Sequence, residues 1–227
     1  MIDTILKSFK DLFNKKILFS SLIPIITAAI FWGVVFFVFH TNISQFVSYL
    51  VFHIPFIGDQ SWVHSLVETV GGILIYYELL ITTSIMIVGI IADKIVDEIN
   101  SKYYNLEKRG FGSIIESIFI SLKQNILFFV LFIIFIPAMF VPVLNIFVHL
   151  ILWSILIKKP TFYDSISTYA TKDEFNTLQN TNKPTIMIIT IISASLFLIP
   201  VVGIFVYILQ LLMFTHFNLK RLQGLRQ

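Results

Sequence analysis

Few residues of this chain could bind a solute, because charged side chains make up only 13% of its 227 residues. Glu78 lies well inside a long apolar segment, residues 69–92, nine residues from its start and fourteen from its end. A carboxylate at such a depth is costly and favours a functional role, although a protonated or hydrogen-bonded Glu78 would serve helix packing equally well. Asn145 follows a proline-containing break, where its amide could either contact a solute or cap a helix end.

Two adjacent lysines, Lys15 and Lys16, stand directly before the first long apolar run. They could gather an anion at the mouth of that helix, or they could anchor the helix to lipid phosphates. The tips of broken helices also suit anions, because they present free backbone N–H groups and a positive dipole end. The predicted chemistry is therefore the binding of a small anion.

Motifs for other chemistry are missing from the sequence. It contains no phosphate-binding glycine loop, no nucleophile elbow and no pair of histidines at metal spacing. The absence of cysteine excludes thiolate metal sites, iron–sulfur clusters and cysteine nucleophiles. We therefore expect no enzyme activity, no cofactor, no metal site and no nucleic-acid partner.

The elements that must position these residues are apolar helices, since hydrophobic residues make up 57% of the chain. Residues 17–39 predict a first spanning helix and residues 69–92 a second. Residues 1–16 predict an interfacial helix with a stripe of apolar side chains opposite its lysines. The chain is thus predicted to be an all-α integral membrane protein, with the lipid bilayer as a partner.

Two further uncharged segments, residues 125–157 and 184–219, are too long for one crossing each. A straight helix over the first would measure about 50 Å, against a hydrocarbon core of about 30 Å. Both contain helix breakers where a hairpin tip would need them: Pro137, Pro142, Pro200 and Gly203. Each segment therefore predicts a helical hairpin, whose limbs are either short spans or re-entrant helices.

The distribution of Lys and Arg predicts the topology. None occurs from residue 17 to residue 93, and all sixteen lie in residues 1–16, 94–124, 158–183 and 220–227. The positive-inside rule then makes both termini cytoplasmic, together with a helical segment at residues 93–124 and a polar connection at residues 158–183. Residues 40–68 form an excursion on the far side, and residues 1–227 form a single membrane domain.

Capping signals mark helix starts within the two cytoplasmic segments. Ser113 with Glu116, and Thr171 with Glu174, have the spacing of a capping box. The first precedes an amphipathic helix whose apolar positions are Phe111, Ile114, Ile115, Ile118, Phe119 and Leu122. We expect that helix to lie on the cytoplasmic membrane surface.

Several short patterns resemble the CysZ family of bacterial inner-membrane sulfate permeases, within the broader etoposide-induced-protein family. They include Leu22, Ile23 and Pro24 near the start of the first span, and residues 92–98 at the end of the second. Ser117 to Lys123 is similar to the amphipathic segment that follows. Ile136 with Pro137, and residues 199–203, are similar to the two hairpin tips.

The resemblance implies two long spanning helices, membrane hairpins, self-assembly into a homo-oligomer, and import of sulfate into the cytoplasm. In that family a Gly-Leu-Arg type turn before the first span contacts sulfate, whereas Asn14, Lys15 and Lys16 stand in that region here. The alternative function is that of a non-transporting membrane scaffold or bilayer-shaping protein, which acts through its amphipathic helices.

Overall fold

The computed structural model describes residues 2–39, 41–43, 45, 46, 49, 61–139 and 141–227. All regular secondary structure in these residues is helical, which confirms the predicted all-α class. The helices with defined bounds are α1 (Ile2–Leu12), α2 (Lys15–Val38), α3 (Ser61–Tyr103), α4 (Ile114–Met139), α5 (Pro142–Ile166), α6 (Lys172–Thr181), α7 (Lys183–Leu196) and α8 (Pro200–Arg226).

Within the described residues, four helical segments are long and apolar enough to cross a membrane: Lys15–Val38, Ile75–Tyr103, Ile114–Met139 and Val143–Ile166. Helix α3 is longer at both ends than the span predicted at 69–92. The predicted excursion at residues 40–68 falls largely outside the described residues, and its last part, from residue 61, belongs to α3.

The first hairpin has longer limbs than the sequence predicts. The amphipathic segment after Gly112 and the apolar limb after residue 125 form one continuous helix, α4, of 26 residues. Its partner α5 has 25 residues. At about 1.5 Å per residue each limb measures close to 40 Å, which is sufficient to cross the hydrocarbon core.

The hairpin tips lie at the predicted breaks. Pro142 and Pro200 are the first residues of α5 and α8, where a proline's missing N–H costs no helical hydrogen bond. Pro137 instead lies inside α4, two residues before its end. Gly203 is buried in the first turn of α8 and donates its N–H to the carbonyl of Ile199 at 2.7 Å.

The chain forms two compact units, and the single membrane domain expected at residues 1–227 stays a prediction. One unit comprises Met1–Leu22 and Ile85–Gln227, and the other comprises Ile23–Ser84. In the smaller unit, the indole of Trp32 on α2 donates to the hydroxyl of Thr83 on α3 at 2.8 Å. The hydroxyl of Tyr76 donates to the carbonyl of Ala29 at 3.3 Å, so polar side chains connect the two helices of this unit.

In the larger unit, α1 and α4 bury their polar faces and expose their apolar faces. The apolar residues Ile114, Ile115, Phe119 and Leu122 of α4 are exposed, while Ser117, Ser121, Gln124 and Asn125 are buried. In α1, Thr4, Ser8 and Asp11 are buried while Leu6 and Phe9 are exposed, as is Phe13 just after the helix. Apolar side chains on the outside suit contact with lipid, where burying them in protein gains little.

The segment before α4 pairs with the end of α5. Gly110 and Gly112 donate their N–H groups to the carbonyls of Thr168 and Ser167, both at 3.1 Å. A Cβ on Gly110 would overlap the backbone of residues 167 and 168, and one on Gly112 would overlap the Ser167 side chain. Glycine is therefore required for this close approach.

The predicted helix caps form in two different ways. At α6, Thr171 and Glu174 make the complete capping box. At α4, the Ser113 hydroxyl accepts from the N–H of Glu116 at 3.1 Å, but the return contact passes through Tyr163. The Tyr163 hydroxyl accepts from the Ser113 N–H at 3.0 Å and donates to the Glu116 carboxylate at 2.7 Å.

Candidate functional site

A polar interior lies between apolar helices in the larger unit. On α4 it consists of Ser117, Ser121, Gln124 and Asn125, which recur about once per helical turn and so share one face. Other helices of the same unit contain further buried polar residues, among them Thr161 and Asp164 on α5, Thr190 and Ser193 on α7, and Gln210 and Thr215 on α8. We call this set the polar interior.

Asp164 is the buried carboxylate of the polar interior. It is 6% exposed, and its Oδ1 accepts a hydrogen bond of 2.6 Å from the hydroxyl of Ser117 on α4. Gly89 of α3 packs against the same pair, so that a Cβ at Gly89 would overlap the Ser117 hydroxyl and lie 3.2 Å from Asp164 Oδ2. Three helices therefore meet at this carboxylate.

Two small cavities, each of about 10 Å³, adjoin Asp164. One is lined in part by Thr161, Tyr207 and Gln210. The other is lined in part by Gly89, Asp93, Ser117 and Thr168. A volume of this size is about what one water molecule requires. Asp164 thus adjoins a small cavity on two sides.

Several polar atoms of this interior have no hydrogen-bond partner among the described residues. They are Ser121 Oγ, both amide atoms of Asn125, Gln210 Nε2, Thr215 Oγ1 and Asn218 Oδ1. An unsatisfied buried polar group costs about 1–3 kcal/mol. Neighbouring protein atoms therefore leave these polar groups inside the helices unsatisfied.

A pair of carboxylates, Asp93 and Asp97, lies where α3 meets the residues after α5. The Thr168 hydroxyl donates to Asp93 Oδ1 at 2.5 Å, and the Tyr169 hydroxyl donates to Asp97 Oδ1 at 2.6 Å. Burial, together with the hydrogen bond to Asp97, raises the pKa of Tyr169, so that it remains a donor at neutral pH. These contacts attach the connection after α5 to the end of α3.

Asp11 of α1 is the centre of a buried ionic cluster. Its Oδ1 accepts from Lys102 Nζ at 2.6 Å and from the Tyr103 hydroxyl at 3.0 Å, and its Oδ2 lies 2.9 Å from His216 Nε2. Burial alone would raise the pKa of Asp11, but the hydrogen bonds from Lys102, His216 and Tyr103 lower it overall. This cluster anchors α1 to α3 and α8 through its polar face.

The predicted anion-binding lysines are both exposed at the start of α2. Lys16 Nζ lies 3.3 Å from Glu98 Oε2 on α3, in an ion pair whose side chains are 77% and 34% exposed. Lys15 has no ion pair with any described residue. The structure therefore places one of the two cations beside a carboxylate, in a contact worth about 0.2–1 kcal/mol.

The predicted intramembrane polar residues lie on α3 and α5. Glu78 is 2% exposed and belongs to the smaller unit, and it has an interaction partner. Asn145 lies in the first turn of α5, and its amide donates to the carbonyl of Met139 at the end of α4, at 2.8 Å. That contact corresponds to the helix-capping alternative for Asn145.

Sequence reasoning missed Asp164 and the polar face of α4. A signal was present in the four-residue spacing of Ser117, Ser121 and Asn125 within an otherwise apolar helix. The same helical turns also have an apolar face, and that face led to the prediction of a helix on the membrane surface. Which face turns inward depends on whether the surroundings are water or lipid.

The comparisons with known proteins give one match. A family model described as sulfate transporter CysZ/etoposide-induced protein 2.4 matches residues 4–207, most of the chain. The match includes the polar face of α4, Asp164 and the two lysines before the first span. No curated protein and no solved structure matches the chain.

Proposed function

Because the chain belongs to the family of sulfate transporter CysZ and etoposide-induced protein 2.4, we propose that it is a multi-pass anion permease that imports sulfate across the bacterial inner membrane. The family match carries this proposal. The polar interior supports it, because polar groups inside apolar helices are costly and typically mark a solute path. In the topology that the positive-inside rule predicts, all four segments that bear Lys and Arg, including both termini, are cytoplasmic.

The cations of the proposed anion site are Lys15 and Lys16. The polar interior itself contributes the carboxylate Asp164, which does not attract an anion. Attraction must then come from basic residues at the mouth of the path, and the two lysines stand at the start of α2. Since the contact between Lys16 and Glu98 is weak and exposed, an oxyanion can compete with Glu98 for that lysine.

The proposed active form is a homo-oligomer. Helix α7 has 14 residues and measures about 21 Å, less than the hydrocarbon thickness of about 30 Å. The turn between α7 and α8 would then lie at membrane depth, where lipid cannot satisfy its backbone groups. A second copy of the chain would supply the protein cover that this turn requires.

The proposal is tested by sulfate uptake into proteoliposomes that contain only this protein. We expect uptake of labelled sulfate above that of empty vesicles, and competition by oxyanions of similar size. Asn125→Leu, which removes an unpartnered amide from the polar interior, should lower uptake. The matched control Leu127→Ile changes an exposed residue of the same helix and should leave uptake unchanged. Sulfate and related anions that enter no faster than into empty vesicles would overturn the proposal.

Growth of a deletion strain on limiting sulfate distinguishes the permease from the scaffold alternative. A strain that lacks this gene should grow poorly on limiting sulfate if the protein imports sulfate. Growth equal to that of the parent strain, together with inactive proteoliposomes, would favour a non-transporting membrane protein instead.

A further inference from the structure

A groove of about 700 Å³ opens between α1, the junction of α6 and α7, and the last turns of α8. Its polar lining includes Lys220, Arg221, Thr4, Thr177 and Thr185, and its apolar lining includes Phe217. We call it the C-terminal groove. We infer that it binds a tetrahedral oxyanion, namely the phosphate or sulfate group of either a lipid headgroup or a free anion. This inference does not depend on the proposed transport activity.

The charge of the C-terminal groove is positive and largely unneutralised. No Asp or Glu among the described residues lines it. Lys220 Nζ lies 4.0 Å from Asp3 Oδ2, a long contact between side chains that are 66% and 60% exposed. Arg221 has no carboxylate partner among the described residues, and its guanidinium lies 5.7 Å from the centre of the Phe217 ring. Two adjacent cations are thus available to an anion.

The hydroxyl groups of the C-terminal groove add neutral donors. Thr181 and Asn182 already donate to the carbonyls of Thr177 and Leu178. The hydroxyls of Thr4, Thr177 and Thr185 make no hydrogen bond with described residues, so their protons can turn toward a ligand. A guanidinium, an ammonium and several hydroxyls together match the acceptor oxygens of a phosphate or sulfate group.

Two sources of such a group fit the surroundings. On the proposed topology the C-terminal groove lies at the cytoplasmic surface, where anionic lipids concentrate near basic side chains. Helix α1, which contributes Thr4 to the lining, exposes Leu6 and Phe9, and these side chains suit contact with acyl chains. A free sulfate or phosphate from the cytoplasm presents the same oxygens. The experiment therefore has one arm for each source.

The first arm measures inorganic anions. The full chain in a neutral maltoside detergent at low salt is titrated with sodium sulfate and with inorganic phosphate by calorimetry. The double variant Lys220→Gln/Arg221→Gln should weaken binding by about tenfold or more, because charge-assisted hydrogen bonds are lost. The control Lys94→Gln/Lys123→Gln removes two exposed lysines outside the groove and should bind like the native chain.

The second arm measures lipid. Native mass spectrometry compares the retention of phosphatidylglycerol with that of a phosphate-free glycosyl diacylglycerol. Selective retention of phosphatidylglycerol that the Lys220→Gln/Arg221→Gln variant loses assigns the groove to a lipid headgroup. Calorimetric binding of sulfate or phosphate that the same variant loses, without selective lipid retention, assigns it to a free anion. Either outcome supports an oxyanion site.

A steric variant keeps the test decisive if the double variant does not fold. Gly224 lines the groove, and a Cβ there would meet nothing within 4 Å. Gly224→Phe should therefore fill the groove while it retains both cations, and Gly224→Ala should bind normally. The inference is overturned if the native chain binds neither probe, or if binding is equal in the Gly224→Phe, Gly224→Ala and native chains.

Discussion

Glu174 and Arg226 form a forked ion pair that joins the start of α6 to the end of α8. Arg226 Nε and Nη2 donate to the two carboxylate oxygens at 2.8 and 2.9 Å. The same guanidinium donates to the carbonyls of Glu107 and Tyr169 at 3.0 and 2.8 Å. Since both side chains are largely buried, this pair contributes more than a surface ion pair would.

The hydrogen bonds from Arg226 lower the pKa of Glu174 to about 2, from a usual value of 4.5. The stabilisation by the ionised carboxylate is therefore present above the usual pKa, and is lost as the pH falls from about 4.5 to about 2. Glu174→Gln should lower the thermal unfolding temperature at pH 7 and make it less sensitive to acid in that window. The loss should correspond to about 1.5–3 kcal/mol, as for hydrogen bonds to charged groups.

Thermal unfolding in detergent at pH 7 and at pH 3.5 measures this effect. Glu107→Gln is the matched control, because Glu107 also pairs with an arginine but its side chain is 71% exposed. That control should change the unfolding temperature little at either pH. An equal loss from Glu174→Gln at both pH values would contradict the predicted linkage.

Lys15 and Lys16 allow a test of anion recruitment. If they gather an anion, replacing both with Gln should lower sulfate uptake, with a larger effect at low salt where charges are less screened. Replacing both with Arg retains the charge and adds planar donors, so uptake should be preserved or improved. If they only anchor the helix to lipid, uptake per correctly inserted molecule should be the same in the native, Gln and Arg forms.

At the scale of helices, the contact of α3, α4 and α5 depends on a small residue. A Cβ at Gly89 would overlap the Ser117 hydroxyl, so Gly89→Ala should destabilise the chain by about 1–3 kcal/mol. Ser117→Ala removes the overlapped oxygen. The double variant Gly89→Ala/Ser117→Ala should therefore lose less stability than the sum of the two single variants, by at least about 0.5 kcal/mol.

Unfolding temperatures of the two single variants and the double variant measure this coupling. Gly33→Ala serves as the control, because a Cβ at Gly33 meets nothing within 4 Å and alanine favours the helix. It should be neutral or stabilising. Strictly additive losses from Gly89→Ala and Ser117→Ala would show that the two residues are not in contact.

At the scale of the whole chain, single cysteines can test the topology, since the native chain contains none. Cysteines at Asp173 and Gln227, which are both exposed, should react with a membrane-impermeant reagent only from the cytoplasmic side. Ser167 is a poor position because it is 3% exposed. Labelling of Asp173→Cys from the outside would show that residues 125–157 cross the membrane once rather than as a hairpin.

The sequence by itself determined the features that depend on local physics. Long uncharged segments predict membrane helices, because lipid cannot satisfy a backbone that is not internally hydrogen-bonded. Pro142 and Pro200 mark the starts of α5 and α8, because in the first turn of a helix a proline's missing N–H costs no helical hydrogen bond. The capping box of Thr171 and Glu174 involves residues three apart, and it forms as predicted.

Only the tertiary structure decided which side chains meet. Asp164 contacts Ser117 across 47 residues of sequence, and Arg226 reaches Glu174 across 52. Helical periodicity distinguishes the two faces of α1 and α4, but it does not predict that the polar faces are the buried ones. That orientation depends on the helices packed against each face and on the medium outside, and neither is encoded in the local spacing of residues.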